Sequence, residues 1–154
     1  MQTPFYQLCL SFGPSISSNG QFVTFESVRS YTTGQSIPVP ITTVPGWGVV
    51  LRYHVGSGLT DTVATNAAVP ISVVEDACNP VMTPDGRFVA FVGNVINGAI
   101  TNSCIRVWDG QTATNVLASV NLTGAILSNS ICEKAAITPD GQTVVFLSNG
   151  TNLV

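Results

Sequence analysis

One histidine (His54), four cysteines (Cys9, Cys78, Cys104 and Cys132) and one adjacent acidic pair (Glu75-Asp76) are the residues through which this 154-residue chain could do reactive chemistry. A histidine beside a serine or cysteine can act as the base of a nucleophilic triad. His54 has no nucleophile motif and no second histidine near it, so it reads as a polar residue closing a strand. Paired carboxylates can exchange protons or hold calcium, but Glu75-Asp76 falls in a stretch that reads as a solvated loop. No cysteine stands in a Cys-x-x-Cys pair and none lies near His54, which leaves zinc without a ligand set. No catalytic, metal or cofactor-binding residue is assigned, no cofactor is expected, and the chain is expected not to be an enzyme. An even number of cysteines outside metal spacing points to disulfides in an oxidising compartment, with buried thiols as the alternative. Trp47, Tyr53 and Trp108 could stack on a sugar, yet each lies on or beside a strand, where large aromatics form core. Asn121-Leu122-Thr123 and Asn149-Gly150-Thr151 fit the glycosylation pattern, as chance matches do in a chain rich in Asn and Thr.

Composition narrows the classes. Hydrophobic residues make up 45% of the chain and charged residues only 8%, with a net charge of -3. That length and apolar content suit one domain with a real core. Five scattered basic residues form no cationic stripe, so nucleic acid is not an expected partner. No apolar run is long enough to cross a bilayer as a helix, and membrane insertion is not expected. Met1-Gln2-Thr3-Pro4 has neither the charged nor the apolar region of a signal peptide, so the expectation is a removed leader or a segment of a longer chain.

The elements that must position these residues repeat. Pro14 to Phe25, Pro80 to Phe91 and Ala135 to Phe146 align without gaps, and their markers Gly20, Gly86 and Gly141 recur at spacings of 66 and 55 residues. Each copy reads as a hairpin. Pro84-Asp85-Gly86 and Pro139-Asp140-Gly141 place proline where φ is preset, Asp where a side chain can bond the backbone, and Gly where φ must be positive. Asn19-Gly20 does the same after a serine. The strands that follow, such as Phe88-Val89-Ala90-Phe91-Val92, are nearly continuous apolar runs and are expected to be covered on both faces. A second hairpin follows twice, over 49–64 and 104–119, while 28–46, 66–76, 94–102 and 121–130 read as loops.

Four short strands in two hairpins per repeat make a β-propeller blade, a four-stranded antiparallel sheet that packs on its neighbours through both faces. The expected fold is all-β, a partial propeller of about three blades in one domain spanning 1–154. Residues 1–12 form a strand of an incomplete blade, 13–65 blade one, 77–120 blade two and 131–154 the first half of a third. Blade connectivity brings the starts of first and third strands to one end of the disc. Cys104–Cys132 or Cys78–Cys104 are therefore the expected bridges, with Cys9 able to join them, if their Cα atoms approach within about 7 Å. Four cysteines allow three connectivities, and the choice stays open.

The segments Thr83-Pro84-Asp85-Gly86-Arg87-Phe88-Val89-Ala90-Phe91, Arg106-Val107-Trp108-Asp109 and Leu147-Ser148-Asn149-Gly150-Thr151-Asn152-Leu153-Val154 resemble the repeats of TolB-type, WD-like propellers of bacterial secreted and envelope proteins. The resemblance covers most of 11–154 and departs where the first turn lacks Pro-Asp and where His54 stands in the place of Asp109. It implies an extracellular, periplasmic or envelope location and a structural or binding role. The expected function is a non-catalytic module that mediates protein assembly or presents loops to a ligand. The alternative is a propeller domain of a larger secreted enzyme, or a sugar-binding surface protein. Because a propeller closes its ring, the expected partner is either a second copy, docked head to tail with the lone N-terminal strand completing the C-terminal blade, or the rest of a longer chain.

Overall fold

A computed structural model of the chain describes residues 6–32, 47–64, 73–97, 100–126 and 130–153. The described residues form ten strands and no helix. Strands β1 (Tyr6–Ile16), β2 (Phe22–Thr32), β3 (Trp47–His54) and β4 (Thr60–Ala64) make one four-stranded sheet in chain order. Strands β5 (Val73–Met82), β6 (Phe88–Asn97), β7 (Ile100–Asp109) and β8 (Thr114–Leu117) make a second in the same order, and β9 (Cys132–Ile137) pairs with β10 (Val144–Ser148). Every pairing is antiparallel.

The sheets stack by their faces. Val50 and Val63 of the first sheet form one core with Ala77, Val89, Phe91 and Trp108 of the second. Ala90, Val92 and Ile105, from the opposite face of the second sheet, form another with Cys132 and Ala135 of β9. This explains the nearly continuous apolar run of β6: alternate side chains enter different cores, so both sets must be apolar.

The three aligned turns are built alike. Thr83 N–H donates to the Phe88 carbonyl (2.9 Å) and Gly86 N–H to the Thr83 carbonyl (2.8 Å), while Asp85 Oδ1 accepts from the Thr83 hydroxyl (2.6 Å) and Arg87 N–H (3.0 Å). Ser17, Asn19, Gly20 and Gln21 repeat these bonds in the first turn, as do Thr138, Asp140, Gly141 and Gln142 in the third. All three glycines have positive φ, between 69° and 79°, a region in which a Cβ is strained.

Each sheet also carries one β-bulge in its first strand, at equivalent positions. The ladder slips at Gly13-Pro14 opposite Phe25, at Asn79-Pro80 opposite Phe91, and at Lys134-Ala135 opposite Phe146. Gly13, Asn79 and Lys134 have φ between 50° and 55°. A bulge leaves a residue outside the ladder, so Pro14 and Pro80 fit there without costing a sheet hydrogen bond.

That bulge corrects one boundary. Residues 6–12 are not a strand of a preceding blade: Tyr6 to Phe12 pair with Thr32 to Glu26 as the first part of β1, and Gly13-Pro14 bends the strand without ending it. The strands also run further than the loops read from composition. β2 continues to Thr32, β5 begins at Val73 and so includes Glu75-Asp76, and β6 and β7 extend to Asn97 and from Ile100.

Candidate functional site

Geometry concentrates where the first two sheets meet. Arg52 of β3 is buried, and its guanidinium lies 4.6 Å from the ring centres of both Phe22 and Trp108, one from each sheet. It donates to Asp61 Oδ2 through Nε (2.8 Å) and Nη2 (2.6 Å), and through Nη1 to the carbonyl of Gly86 in the second sheet's turn. Gly110, in the turn after β7, lacks the Cβ that would overlap the same guanidinium. Stacking on two rings and a paired carboxylate offset the desolvation of a buried charge.

The turns interlock too. A Cβ on Gly86 would overlap the ring of Phe22 in the sheet before, and a Cβ on Gly141 would overlap Phe88 in the same way. Ser18 N–H donates to the Pro84 carbonyl (2.8 Å), a contact that a proline at position 18 could not make. This gives the departure of the first turn from the Pro-Asp-Gly pattern a physical reason. Toward the far end of the sheets, Asn115 Nδ2 of β8 donates to the Val63 carbonyl of β4 (2.9 Å). β9 is tied to β7 through Ser103, whose Oγ accepts from Cys132 N–H (2.5 Å) and donates to the Cys132 carbonyl (3.0 Å).

The residues singled out for chemistry serve these contacts. His54 Nε2 lies 2.7 Å from Asp61 Oδ2, and its ring stands edge-on to Phe22, with centroids 4.7 Å apart. Burial works to raise the pKa of Asp61, but hydrogen bonds from His54 and Arg52, together with their charges, outweigh it and bring it below the usual value. Arg87, bonded to Asp109 at 2.9 and 2.8 Å, holds that carboxyl at about 2, helped by the N–H of Gln111. Asp85 is held low by the Thr83 hydroxyl and the Arg87 N–H, and Asp140 by the Thr138 hydroxyl and the Gln142 N–H. Carboxylates stabilised as anions in this way are weak bases at neutral pH. Among the described residues, no group of three His, Cys, Asp or Glu side chains could hold a metal ion.

The expected bridges Cys104–Cys132 and Cys78–Cys104 are not formed. Cys104 pairs with Gly93 while Cys78 pairs with Val92, one step along β6, so the two cysteines point to opposite faces of the second sheet. Cys78 and Cys132 belong with the core between the second sheet and β9, whereas the Cys104 thiol donates to the Gly93 carbonyl at 3.5 Å. Of the aromatic trio, Trp108 is buried against Arg52, and Tyr53 lies on the other face of the first sheet. The side chains of Cys9, Trp47, Glu75 and Asp76 lie outside the described part of the structure. In the sequon at Asn121, the Asn121 Oδ1 accepts from Thr123 N–H (2.9 Å) and Ala125 N–H (2.9 Å). In the other, Asn149 Oδ1 accepts from Ile131 N–H (2.8 Å).

Sequence reasoning missed Arg52 and Asp61. The available signal was position: Arg52 occupies the register place of Val107, since Phe22 pairs with His54 as Phe88 pairs with Asp109. A charge in an apolar strand position invites a search for its counter-ion, and Asp61 lies directly across the next strand pair.

The class that fold and contacts define is an all-β stack of antiparallel sheets joined by a repeated interface. Comparison of the chain with models of known protein families and with curated protein sequences returned no match.

Proposed function

We propose that the chain is a non-catalytic scaffold of the β-propeller type, built from TolB-like, WD-like repeats and working outside the cytoplasm, in secretion or in the envelope. Its role is to assemble with other protein or to present loops to a ligand. The observation that carries this reading is the recurrence of one sheet-to-sheet interface: the turn glycine of each later sheet sits on the phenylalanine ring of the sheet before it. Equal successive contacts of this kind, with the same hand, turn a row of sheets around an axis. The approach of the first strands supports this, since Gly13 of β1 lies close to Pro80 of β5. The low pKa values of the described aspartates and their engagement in turns and ion pairs favour a structural use over acid–base work.

An experimentally determined structure of the assembled protein tests the reading. Sheets fanned about one axis, with β1, β5 and β9 innermost, are expected. Sheets wrapped around a shared core as a sandwich or barrel would overturn it.

A further inference from the structure

Three asparagines stand directly before a glycine: Asn19, Asn97 and Asn149. In such a pair the glycine nitrogen can attack the side-chain carbonyl of the asparagine, since the two groups are already held close and glycine has no Cβ to hinder the approach. The nitrogen gives up its proton and bonds to Cγ. The bond from Cγ to Nδ2 breaks, and ammonia leaves. Water then opens the cyclic imide at either carbonyl, leaving aspartate or isoaspartate. The Asn97 side chain and Gly98 lie outside the described residues, whereas Asn19 and Asn149 are both described and both exposed, so access to water does not separate them.

Hydrogen bonds do separate them. Asn19 Oδ1 accepts from the Ser17 hydroxyl (2.8 Å) and from Gln21 N–H (3.0 Å), and its Nδ2 donates to Gln21 Oε1 (3.2 Å). The attacking nitrogen, Gly20 N–H, is held by the Ser17 carbonyl (2.9 Å). Ring closure at Asn19 therefore has to dismantle the turn. At Asn149, Oδ1 accepts from Ile131 N–H (2.8 Å), while Nδ2, the leaving group, has no acceptor among the described residues. Gly150 N–H donates to a side-chain hydroxyl, Ser148 Oγ (3.0 Å), which can rotate away or accept the proton. The Ile131 N–H points at the oxygen that becomes negative as the ring closes, so that bond strengthens along the reaction.

We infer that Asn149 is a site of spontaneous covalent modification, cyclising with Gly150 to a succinimide that hydrolyses to aspartate and isoaspartate, and that Asn19 is protected in the folded chain. Isoaspartate lengthens the main chain by one carbon where Asn149 N–H donates to the Ile131 carbonyl (3.2 Å), so the change loosens the tie between the end of β10 and the start of β9. This reactivity is independent of the scaffold role proposed above.

Trypsin places the two asparagines on separate peptides, 1–29 and 135–154. The full chain is incubated for weeks at neutral pH, digested, and read by mass spectrometry for the mass gain of exchanging an amide for a carboxyl. In the folded chain, peptide 135–154 is expected to change about tenfold or more faster than 1–29, the effect of the additional hydrogen bonds that Asn19 must break. In concentrated urea, where neither asparagine is held, the two rates should converge. Fragmentation is expected to locate the change at Asn149, and an isoaspartate-specific methyltransferase to label the product. Equal rates in the folded chain, faster change at Asn19, a change located at Asn152, or an Asn149 that stays intact while the urea-treated chain reacts would each overturn the inference. A difference that persists in urea would overturn it as well, because neighbouring residue types and not the fold would then set the rates.

Discussion

Arg52 is the residue on which the first interface turns, because its guanidinium touches both sheets and ends on a backbone carbonyl of the second. Removing it leaves that carbonyl and part of the Asp61 carboxylate without donors and opens a slot between two rings. Arg52→Ala is therefore expected to destabilise the chain by about 3 kcal/mol, measured by urea unfolding. Asp61 is one-third exposed, so water can replace much of what it gives, and Asp61→Asn is expected to cost only about 1 kcal/mol. Asp109 makes a different prediction, for acid. Its pKa in the fold, about 2, lies below the ordinary aspartate value of 3.8, so folding is stabilised by its ionisation above about pH 4. That contribution fades as the pH falls toward 2. Thermal melts between pH 7 and pH 2 should show Asp109→Asn with a shallower decline over the last two units than the parent chain. Asp61, Asp85 and Asp140, whose values are also lowered, leave a residual slope of the same sign in the variant.

At the scale of the hairpin, one glycine position has different neighbours in the first two repeats, and that difference separates local turn chemistry from contact between sheets. Gly20 and Gly86 both have positive φ, so alanine at either pays the left-handed strain of about 1 kcal/mol. Gly20→Ala meets open space, but Gly86→Ala drives a methyl into the Phe22 ring. The second substitution is expected to cost about 2 kcal/mol more, within the range of overpacked cores. Phe22→Ala should remove most of that excess in a double-mutant cycle; equal costs at the two glycines would mean that the ring does not constrain the turn. These turns were legible in the sequence, because Pro-Asp-Gly and Asn-Gly encode their geometry locally. The four-strand order within each sheet followed from the two hairpins per repeat. The bulges were not read, although Gly13-Pro14 and Asn79-Pro80 sit at the same place in two repeats. Glycine beside proline has the composition of a loop, and only the partner strand shows that pairing resumes beyond it. The cysteine bridges failed for a related reason. Cys78 and Cys104 were read as lying at strand starts, but both sit mid-strand, on β5 and β7 with β6 between them, and two strand spacings of about 4.8 Å each exceed disulfide reach; which face each thiol takes depends besides on single-residue register, which spacing alone does not fix. Arg52 was hidden because its burial depends on aromatic rings from two different repeats.

Across the whole molecule, cover is unequal by construction. β6 has strands on both edges and a core on both faces, so Val89, Ala90, Phe91 and Val92 are all buried. β2 has strands on both edges but a core on one face, and β10 pairs only with β9 among the described strands and has one open face. In a stack whose stability is a sum of sheets and interfaces, opening should begin at the ends and reach the centre last. Amide hydrogen exchange is therefore expected to be slowest in Val89–Val92, faster in Val23–Ser27 and fastest in Val144–Leu147. Uniform exchange across all three strands would mean that the chain unfolds as one cooperative unit, with no ordering from its ends inward.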